Sequence, residues 1–251
     1  TEKIKSEFTD VILIESKEIL GFGKANNLGA KYGSCNYLFL LNSDTILIGN
    51  SPKILFDYFT TLDDPKIALI GCKIIDNNKI ANVSYGNFPS VYQELFEYGF
   101  SNIFKNYYRL NISPSVIDDS DAIKQVDYIT GADMFFKKSV FEQFNGFDND
   151  FFLYYEETEL CYRLKRMNYK IIWFPHSSII HYIGASSKKV DSINYWYIDQ
   201  FNKSKYLYFQ KCHGKLIATI VKYISIPKIL MINRRHDSIK ILKILLKIGT
   251  N

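Results

Sequence analysis

Short apolar runs alternate with helical patterns in the N-terminal part of the chain. Residues 11–14, 37–41 and 67–71 are apolar runs of the length that buried strands favour. The intervening residues 24–32 show a helical apolar face, and residues 52–62 begin with a proline, which suits the first turn of a helix. This alternation predicts an α/β fold with a largely parallel sheet.

The pattern is interrupted and then returns in the C-terminal half. Residues 76–125 are rich in Asn, Ser, Tyr and Phe without a sustained period, and we predict loops over one end of the sheet. Further strands are predicted at 126–129, 134–136, 171–174 and 178–181, and helices at 139–144 and 156–167. Residues from 194 onward are helical and aromatic. We therefore predict an α/β domain over residues 1–190 and a helical appendage over residues 191–251.

Composition and charge narrow the class of protein. The chain has 251 residues, 47% of them hydrophobic, which is enough for a full core, and its formal net charge is +5. The basic residues are scattered until the C-terminal stretch, where acidic residues become rare. This distribution argues against a nucleic-acid-binding surface and favours a local basic patch.

The cysteines and the apolar runs bear on the compartment. Cys35, Cys72, Cys161 and Cys212 lie far apart without a C-x-x-C pair, so we interpret them as reduced core residues of a cytosolic protein. No uninterrupted apolar run is long enough to span a bilayer, because lysines and a proline break residues 216–232.

A carboxylate follows the second predicted strand. Asp44 comes at the carboxyl end of the run 37–41, where open α/β sheets bind ligands. There it is placed to ligate Mg²⁺ or Mn²⁺ that carries a diphosphate. The alternative is a solvated turn in which Asn42 supplies the turn chemistry.

Three glutamates open the helix predicted at 156–167. Glu157 falls within the apolar stripe, Glu156 lies at its edge, and Glu159 points away, one turn before Arg163, as half of an exposed pair. A partly buried carboxylate has a raised pKa and suits a general base, so Glu157 is preferred over Glu156. The helix dipole alone also favours acids at this position.

Two weaker signals remain. His181 ends a strand-like segment, where a lone histidine is more often structural than catalytic. Gly21 and Gly23 precede a helix and are placed to cradle a phosphate on backbone amides, but a third glycine is absent.

Taken in order, several segments resemble glycosyltransferase family 2, in particular its bacterial rhamnosyltransferase-like members. The matching segments are GFGKANNLG at 21–29, LLNSDT at 40–45, GADMFF at 131–136, GFD at 146–148 and YYEETELCYR at 154–163, followed by Pro175 and His181. Several blocks in the right order are far more specific than any one of them.

The resemblance implies a GT-A fold, which is Rossmann-like with a mostly parallel mixed sheet and helices on both faces. It also implies an inverting transfer from a nucleotide-sugar donor to a glycan or lipid-linked acceptor in surface polysaccharide synthesis. Asn42-Ser43-Asp44 takes the place of the D-x-D metal motif, which implies Asp44 as a ligand and Asn42 beside the donor. Glu157 matches the second acid of the family's catalytic pair.

Further site residues are implied in the same way. The resemblance gives His181 a contact to the metal or the diphosphate. The other donor-binding positions it implies are Gly23, Asn26, Asn27, Gly131 and Asp133.

Members of the family begin with a strand-helix-strand unit that holds the nucleobase, and the match in this chain starts after that unit. We therefore expect a GT-A domain without its first strand and helix. The alternative function is a non-catalytic nucleotide- or carbohydrate-binding remnant of the same fold.

The last predicted helix carries a basic stripe. Lys240, Lys243 and Lys247 fall on one side of residues 239–248, with Arg234 and Arg235 nearby. Such a helix can lie on anionic lipid, which predicts a peripheral enzyme at the inner face of the cell membrane. An aromatic belt would come from Trp196, Tyr197, Tyr206 and Tyr208. The alternative is that the helix packs on the protein or on a second subunit in a homo-oligomer.

Overall fold

The computed structural model describes residues 2–182, 194–230 and 235–249, with the side chains of residues 235 and 236 excepted. Its helices are α1 (Glu2–Glu7), α2 (Gly21–Tyr32), α3 (Ser51–Thr61), α4 (Val91–Phe96), α5 (Phe100–Ile103), α6 (Lys105–Asn111), α7 (Lys138–Gln143), α8 (Glu156–Arg166), α9 (Tyr195–His213), α10 (Lys215–Leu230) and α11 (Arg235–Lys247). Its strands are β1 (Tyr37–Leu41), β2 (Thr45–Leu47), β3 (Ile67–Ile75), β4 (Val83–Gly86), β5 (Val116–Ile117), β6 (Lys124–Gln125), β7 (Tyr128–Ile129), β8 (Asp133–Lys137) and β9 (Lys170–His181).

A six-stranded mixed sheet forms the centre of the molecule. Its strands follow the order β1-β8-β3-β9-β2, and β6 also pairs with β9. The predicted strands at 171–174 and 178–181 are one continuous strand, β9, which pairs along most of its length with β3. The α/β fold with a mixed sheet is confirmed.

Strand direction differs from the prediction of a mostly parallel sheet. Only β3 and β9 pair in parallel, whereas β1-β8, β3-β8, β2-β9 and β6-β9 are antiparallel among the described strands. Strands β1, β3 and β9 do run in the same direction, but β8 is inserted between β1 and β3 in the opposite direction. The sequence does not reveal the direction of β8, because a strand that is buried on both faces has the same apolar pattern whether it runs parallel or antiparallel to its neighbours.

Helices cover both faces of the sheet, as predicted. Successive residues of each strand point to opposite sides: on β8, Phe136 packs in a core under α2, α7 and α8, and Phe135 packs under α3. On β9, Trp173 likewise packs in the first of these cores and Phe174 in the second. The period of two along these strands therefore supplies two separate cores.

The strand predicted at residues 11–14 is wrong. This segment has no regular structure, and Val11 and Ile12 are 55% and 68% exposed. Ile12 and Ile14 line a shallow surface depression beside α2 instead of entering the sheet. A short apolar run is compatible with a strand, but it becomes one only when a neighbouring strand offers its hydrogen bonds.

Residues 76–125 are more ordered than the predicted loops. They contain helices α4, α5 and α6, and their strands β4 and β5 join β7 in a second sheet of order β5-β4-β7. The Ser84 hydroxyl accepts a hydrogen bond of 2.8 Å from the Ile74 amide, which ties the small sheet to the large one.

The helical appendage is confirmed in α9, α10 and α11. Its helices share a third core with Phe151, and α10 also packs on α4. Tyr206 and Tyr208 are 8% and 0% exposed within this core, so the predicted aromatic belt is wrong for both residues. The predicted domain boundary at residue 190 lies outside the described residues, as does Arg234.

The exposure of the cysteines can be compared with the prediction that all four lie in the core. Cys72 and Cys161 are buried, but Cys35 is exposed and Cys212 only partly buried, so the assignment of all four cysteines to the core is wrong. Within the part of the chain that the structure describes, no helix has the length and apolar character needed to cross a membrane.

Candidate functional site

Asp44 and His181 meet at one edge of the central sheet. Strand β2 pairs antiparallel with the end of β9, which sets Thr45 opposite His181. The Asp44 carbonyl accepts a hydrogen bond of 2.9 Å from the Tyr182 amide, and its Oδ1 lies 3.2 Å from His181 Nε2. Both side chains are about one-fifth exposed, so they are open to a ligand.

This pair fits a divalent metal ion by its chemistry. Two ligand atoms at right angles on an ion with bonds of about 2.1 Å lie about 3 Å apart, close to the observed separation. A carboxylate is a typical ligand of Mg²⁺ and Mn²⁺, and an imidazole is a common ligand of transition-metal ions. Within the described residues no group of three or more His, Cys, Asp or Glu side chains is gathered for a metal. Asp44 and His181 would thus hold the ion together with oxygens of a ligand and water.

Asn42 connects this pair to the neighbouring strand. Its amide donates a 3.1 Å hydrogen bond to the Ala132 carbonyl, and its carbonyl accepts a 2.7 Å bond from the Thr45 hydroxyl. The bond from Thr45 closes the turn between β1 and β2. Both bonds use the main chain of Asn42, so the turn chemistry predicted for its side chain stays a prediction.

Asp133 is fully buried at the start of β8, opposite Leu41. Its Oδ2 accepts a 2.5 Å hydrogen bond from the Cys72 amide, whereas its Oδ1 has no partner. Burial raises the pKa of this carboxyl to about 7. The side chain therefore supports β3 from inside the sheet, and its predicted contact with the donor stays a prediction.

The glycines at the start of α2 are explained by close packing. Gly21 has φ +75°, and a Cβ there would lie 2.1 Å from the Phe152 carbonyl oxygen; at Gly23 a Cβ would lie 3.0 Å from that of Phe147. The Phe22 amide already donates to the Phe152 carbonyl at 3.3 Å. These glycines let α2 approach its neighbours closely, and the phosphate cradle stays a prediction.

Asn26 and Asn27 also have structural partners. Asn27 holds the segment before α8: its Nδ2 donates to the Phe147 carbonyl at 2.8 Å, and its Oδ1 accepts from the Phe147 amide at 2.9 Å. Asn26 Nδ2 donates to the carbonyl of Phe22, one turn earlier, at 3.0 Å. Asn27 therefore ties α2 to the segment before α8, whereas the Asn26 bond stays within α2; the contact of either asparagine with a donor stays a prediction.

The glutamates of α8 are placed differently from the helical-face prediction. Glu156 and Glu159 are 2% and 4% exposed, whereas Glu157 is half-buried and faces a cavity. The predicted pair of Glu159 with Arg163 forms at 2.7 Å, but it is buried and not exposed. Helix α8 is enclosed because α2, α9, β7 and β9 all pack on it. The sequence did not show that the appendage would cover this side of α8.

A strained turn aims these carboxylates. Tyr154 and Tyr155, directly before α8, have φ values of +71° and +67°, which side chains other than glycine rarely adopt. Two consecutive residues of this kind cost about 1 to 3 kcal/mol each and persist only where packing holds them. The Ser204 hydroxyl of α9 helps to hold this turn, because it donates a 2.7 Å hydrogen bond to the carbonyl of Leu153.

Glu156 and Glu157 hold their protons more tightly than ordinary glutamates. Burial raises the pKa of both carboxyls, and the neighbouring Glu157 charge raises the pKa of Glu156 further. The backbone amides of Glu157 and Thr158 at the helix start act in the opposite direction on Glu157. The Glu156 Oε2 has no hydrogen-bond partner. Two adjacent buried carboxyls of this kind titrate as a pair.

Glu157 opens into a cavity of about 300 Å³ between the α/β domain and the appendage. Its walls combine aromatic rings, prolines and charged groups, namely Pro89, Gln93, Glu94, Glu97, Pro114, Ser115, Tyr128, Tyr154, Tyr155, Thr158, Phe201 and Lys205. Glu94 is buried and pairs with Lys205 at 2.5 Å and with Lys228 at 3.0 Å. The sequence signalled none of these partners, because the lysines lie more than a hundred residues away from Glu94.

Close packing connects the turn that carries Asp44 with the start of α8. Ala132 binds Asn42 on one side, and a Cβ on its neighbour Gly131 would lie 3.0 Å from the Phe22 ring. Gly23, which follows Phe22 in α2, lies close to α8: a Cβ added at Gly23 would be 3.7 Å from the Cβ of Glu156. The structure thus brings the predicted residues of α2, the 131–133 segment and α8 together.

The chain is similar to curated glycosyltransferases. No protein-family model matches it. The low-salt glycan biosynthesis hexosyltransferase Agl10 of Haloferax volcanii is 25% identical over 199 residues, which cover 77% of this chain and 59% of that protein. The rhamnosyltransferase WbbL of Escherichia coli is 27% identical over 177 residues, which cover 65% of this chain and 61% of that protein. The chain thus spans about three fifths of the length of these relatives.

Solved structures show the same fold. A mannosyltransferase of Pyrobaculum calidifontis, in complex with GDP-Man and Mn²⁺, matches 98% of this chain and 59% of its own, with a TM-score of 0.51 and 13% identity. GalNAc-T7 with UDP, GalNAc and Mn²⁺ matches 89% of this chain and 44% of its own, with a TM-score of 0.53 and 12% identity. The chain is thus similar in sequence to glycosyltransferase family 2 and has the GT-A fold of solved glycosyltransferases, as its motifs predicted.

Proposed function

We propose that this chain carries the catalytic centre of a metal-dependent inverting glycosyltransferase, with Glu157 as the general base. It transfers a sugar from a nucleotide-sugar donor to a glycan or lipid-linked acceptor in the synthesis of a surface polysaccharide. The observation that carries the proposal is the position of Glu157: a half-buried carboxyl with a raised pKa that opens into a cavity large enough for a sugar.

Glu157 is preferred over Glu156 because a base must reach its substrate. Glu156 is more deeply buried and does not line the cavity, whereas Glu157 does. Glu157 accepts the proton of an acceptor hydroxyl as the oxygen attacks the anomeric carbon, and the bond from that carbon to the nucleoside diphosphate breaks. One displacement of this kind inverts the anomeric configuration and needs no covalent enzyme intermediate.

Asp44 and His181 form the donor side of the proposed centre. A divalent ion such as Mn²⁺ or Mg²⁺, when bound, neutralises the charge that develops on the departing diphosphate. Asp44 and His181 would hold that ion, supported by their separation of 3.2 Å and by the Mn²⁺ in the two solved glycosyltransferases. The main-chain hydrogen bonds of Asn42 hold the turn that carries Asp44.

The cavity around Glu157 is proposed to bind a neutral acceptor sugar. Its wall carries the carboxylates of Glu94 and Glu97, and its lining lysine, Lys205, is already paired with Glu94. Because Lys205 is engaged by Glu94, it is not free to bind an anionic group, whereas sugar hydroxyls can donate to the carboxylates of Glu97 and Glu157. Tyr154 and Phe201 are 37% and 43% exposed at the cavity and can pack against the apolar face of a sugar ring.

The test is a transfer assay with a panel of nucleotide sugars, Mn²⁺ and sugar acceptors. It uses this chain and the same chain with the upstream sequence of its relatives. Glu157→Gln should reduce transfer by about 10²- to 10⁴-fold and leave binding of the nucleoside diphosphate unchanged. NMR of the product should show an anomeric configuration opposite to that of the donor. Full activity of Glu157→Gln, or a product with retained configuration, contradicts the proposal; binding without turnover in either form supports the non-catalytic alternative.

A further inference from the structure

Helices α4, α5 and α6 expose an unusually apolar surface. We call this surface the aromatic face; its members are 47% to 74% exposed and are Tyr92, Leu95, Phe100, Ile103, Phe104, Tyr107 and Leu110. Neither α5 nor α6 contains a buried residue. Exposed apolar side chains gathered in one segment mark a surface that contacts an apolar partner.

The aromatic face is firmly attached to the rest of the protein. The Tyr98 hydroxyl donates to the Ile224 carbonyl of α10, and Lys228 lies 5.3 Å from the centre of the Tyr98 ring. Lys228 also pairs with Glu97 at 2.8 Å. These contacts hold the start of the segment against the appendage.

The charged residues within helices α5 and α6 are basic. No acidic residue occurs between Glu97 and Asp118, whereas Lys105 and Arg109 are both exposed within that interval. The neighbouring helix α10 contains no acidic residue, and none occurs between Asp199 and Asp237. Aromatic rings interspersed with basic residues are the composition by which peripheral proteins bind anionic membranes.

The aromatic face adjoins the cavity that contains Glu157. Helix α4 divides the two, because its buried residues Gln93 and Glu94 line the cavity while Tyr92 and Leu95 on its other side are exposed. An acceptor sugar carried on a lipid at this face would therefore have only the thickness of one helix between its anchor and the cavity.

We propose that the aromatic face rests on an anionic lipid surface and presents the acceptor cavity to a lipid-linked sugar. The cavity's role rests on the proposed function, whereas lipid binding by the face does not. This surface differs from the basic stripe predicted on α11. Ile241 and Leu245 of that helix and Ile248 directly after it are buried in the third core, and Lys240 lies 4.8 Å from the centre of the Tyr195 ring.

The test is flotation of the full 251-residue chain with vesicles of phosphatidylcholine alone and of equimolar phosphatidylcholine and phosphatidylglycerol. The chain should bind the anionic vesicles more tightly, and added salt should weaken this binding. The double variant Ile103→Glu and Phe104→Glu should bind the anionic vesicles at least about tenfold more weakly, because it replaces two apolar contacts with charges. Both residues are more than half exposed, so the variant should keep its far-UV circular dichroism spectrum.

Two matched variants complete the experiment. Ile19→Glu changes a residue that is 88% exposed outside the face, and Leu246→Glu changes one that is 44% exposed on α11; both should bind vesicles as the unmodified chain does. Equal binding by all variants, or none by the unmodified chain, overturns the proposal. So does a dimer in vesicle-free buffer that the double variant dissociates, because the face would then contact a second copy. Vesicle binding needs no donor, so its failure is distinguishable from a failure of transfer.

Discussion

The Nε2 atom of His181 lies 3.2 Å from Oδ1 of Asp44, although 137 residues separate them in the chain. The antiparallel pairing of β2 with the last residues of β9 creates this contact. Each residue alone is a common surface feature. Together they form the pair that we propose as ligands of a divalent ion at the edge of the sheet.

The first prediction concerns metal-dependent binding of the nucleotide. Asp44→Asn and His181→Gln should each weaken Mn²⁺-dependent binding of a nucleoside diphosphate by at least about tenfold, because each removes a ligand or its charge. Calorimetric titration with uridine and guanosine diphosphates, with and without Mn²⁺, checks this. Asp57→Asn, which changes an exposed acid on α3, is the control and should bind normally. If both site variants retain Mn²⁺-dependent affinity, the pair is not the metal site.

The second prediction separates the roles of Glu156 and Glu157. A base acts only when deprotonated, so transfer should increase with pH through the pKa of the pair. Burial and the Glu157 charge raise the pKa of Glu156 to about 8, above the value of about 7 for Glu157, so Glu156 is still protonated while Glu157 loses its proton. Glu156→Gln should therefore leave the acidic limb of kcat/KM where it is in the unmodified chain. The pH profiles of the two forms check this. A limb that moves by about one unit in Glu156→Gln would show that Glu156 is ionised while the base titrates.

The third prediction concerns the buried ion pair that joins α4 to the appendage. Lys205→Met leaves the buried Glu94 with only Lys228 as its charged partner and should lower the free energy of unfolding by about 2 to 4 kcal/mol. Lys53→Met breaks an exposed pair with Asp57 and should change the free energy of unfolding by less than about 1 kcal/mol. Urea denaturation followed by circular dichroism measures both. Similar small losses would show that the Glu94 pair contributes no more than an exposed one.

The fourth prediction compares two glycines of α2. Gly21→Ala should destabilise the protein by more than about 2 kcal/mol, because φ is +75° and the added Cβ would meet the Phe152 carbonyl at 2.1 Å. Gly29→Ala has open space around it and should stabilise the protein by up to about 1 kcal/mol, since alanine favours the helix. Thermal denaturation of both variants tests the contrast, and a stable Gly21→Ala would contradict the packing role assigned to this glycine.

The fifth prediction concerns stability as a function of pH. Burial raises the pKa of Asp133 to about 7, so the folded protein binds this proton more tightly than the unfolded chain. The stability contributed by Asp133 is therefore present at low pH and is lost as the pH rises from about 4 through about 7. The side chain in Asp133→Asn stays neutral at every pH. The free energy of unfolding of this variant minus that of the unmodified chain should therefore increase by roughly 2 to 3 kcal/mol from about pH 5 to about pH 8. Urea denaturation at both pH values measures this difference. A constant difference would show that Asp133 is not protonated in the fold.

The sequence by itself determined the α/β class, most elements and the segments that make up the candidate site. Strand β1 and helix α3 were predicted within one residue at each end, because local periodicity and Pro52 mark them. Asp44 was identified because it follows an apolar strand, a relationship that is local in the chain. The apolar run at 11–14 misled the prediction for the same reason, since periodicity does not indicate whether a pairing partner exists.

Only the tertiary structure decided which side chains meet and which face a cavity. The buried position of Glu159, the contact between Asp44 and His181, and the pairing of Glu94 with Lys205 all depend on elements distant in sequence. The appendage encloses α8 from a side that the periodicity of α8 cannot report. Hydrophobic periodicity shows that a residue faces something apolar, but the identity of that neighbour depends on how the sheets and helices pack.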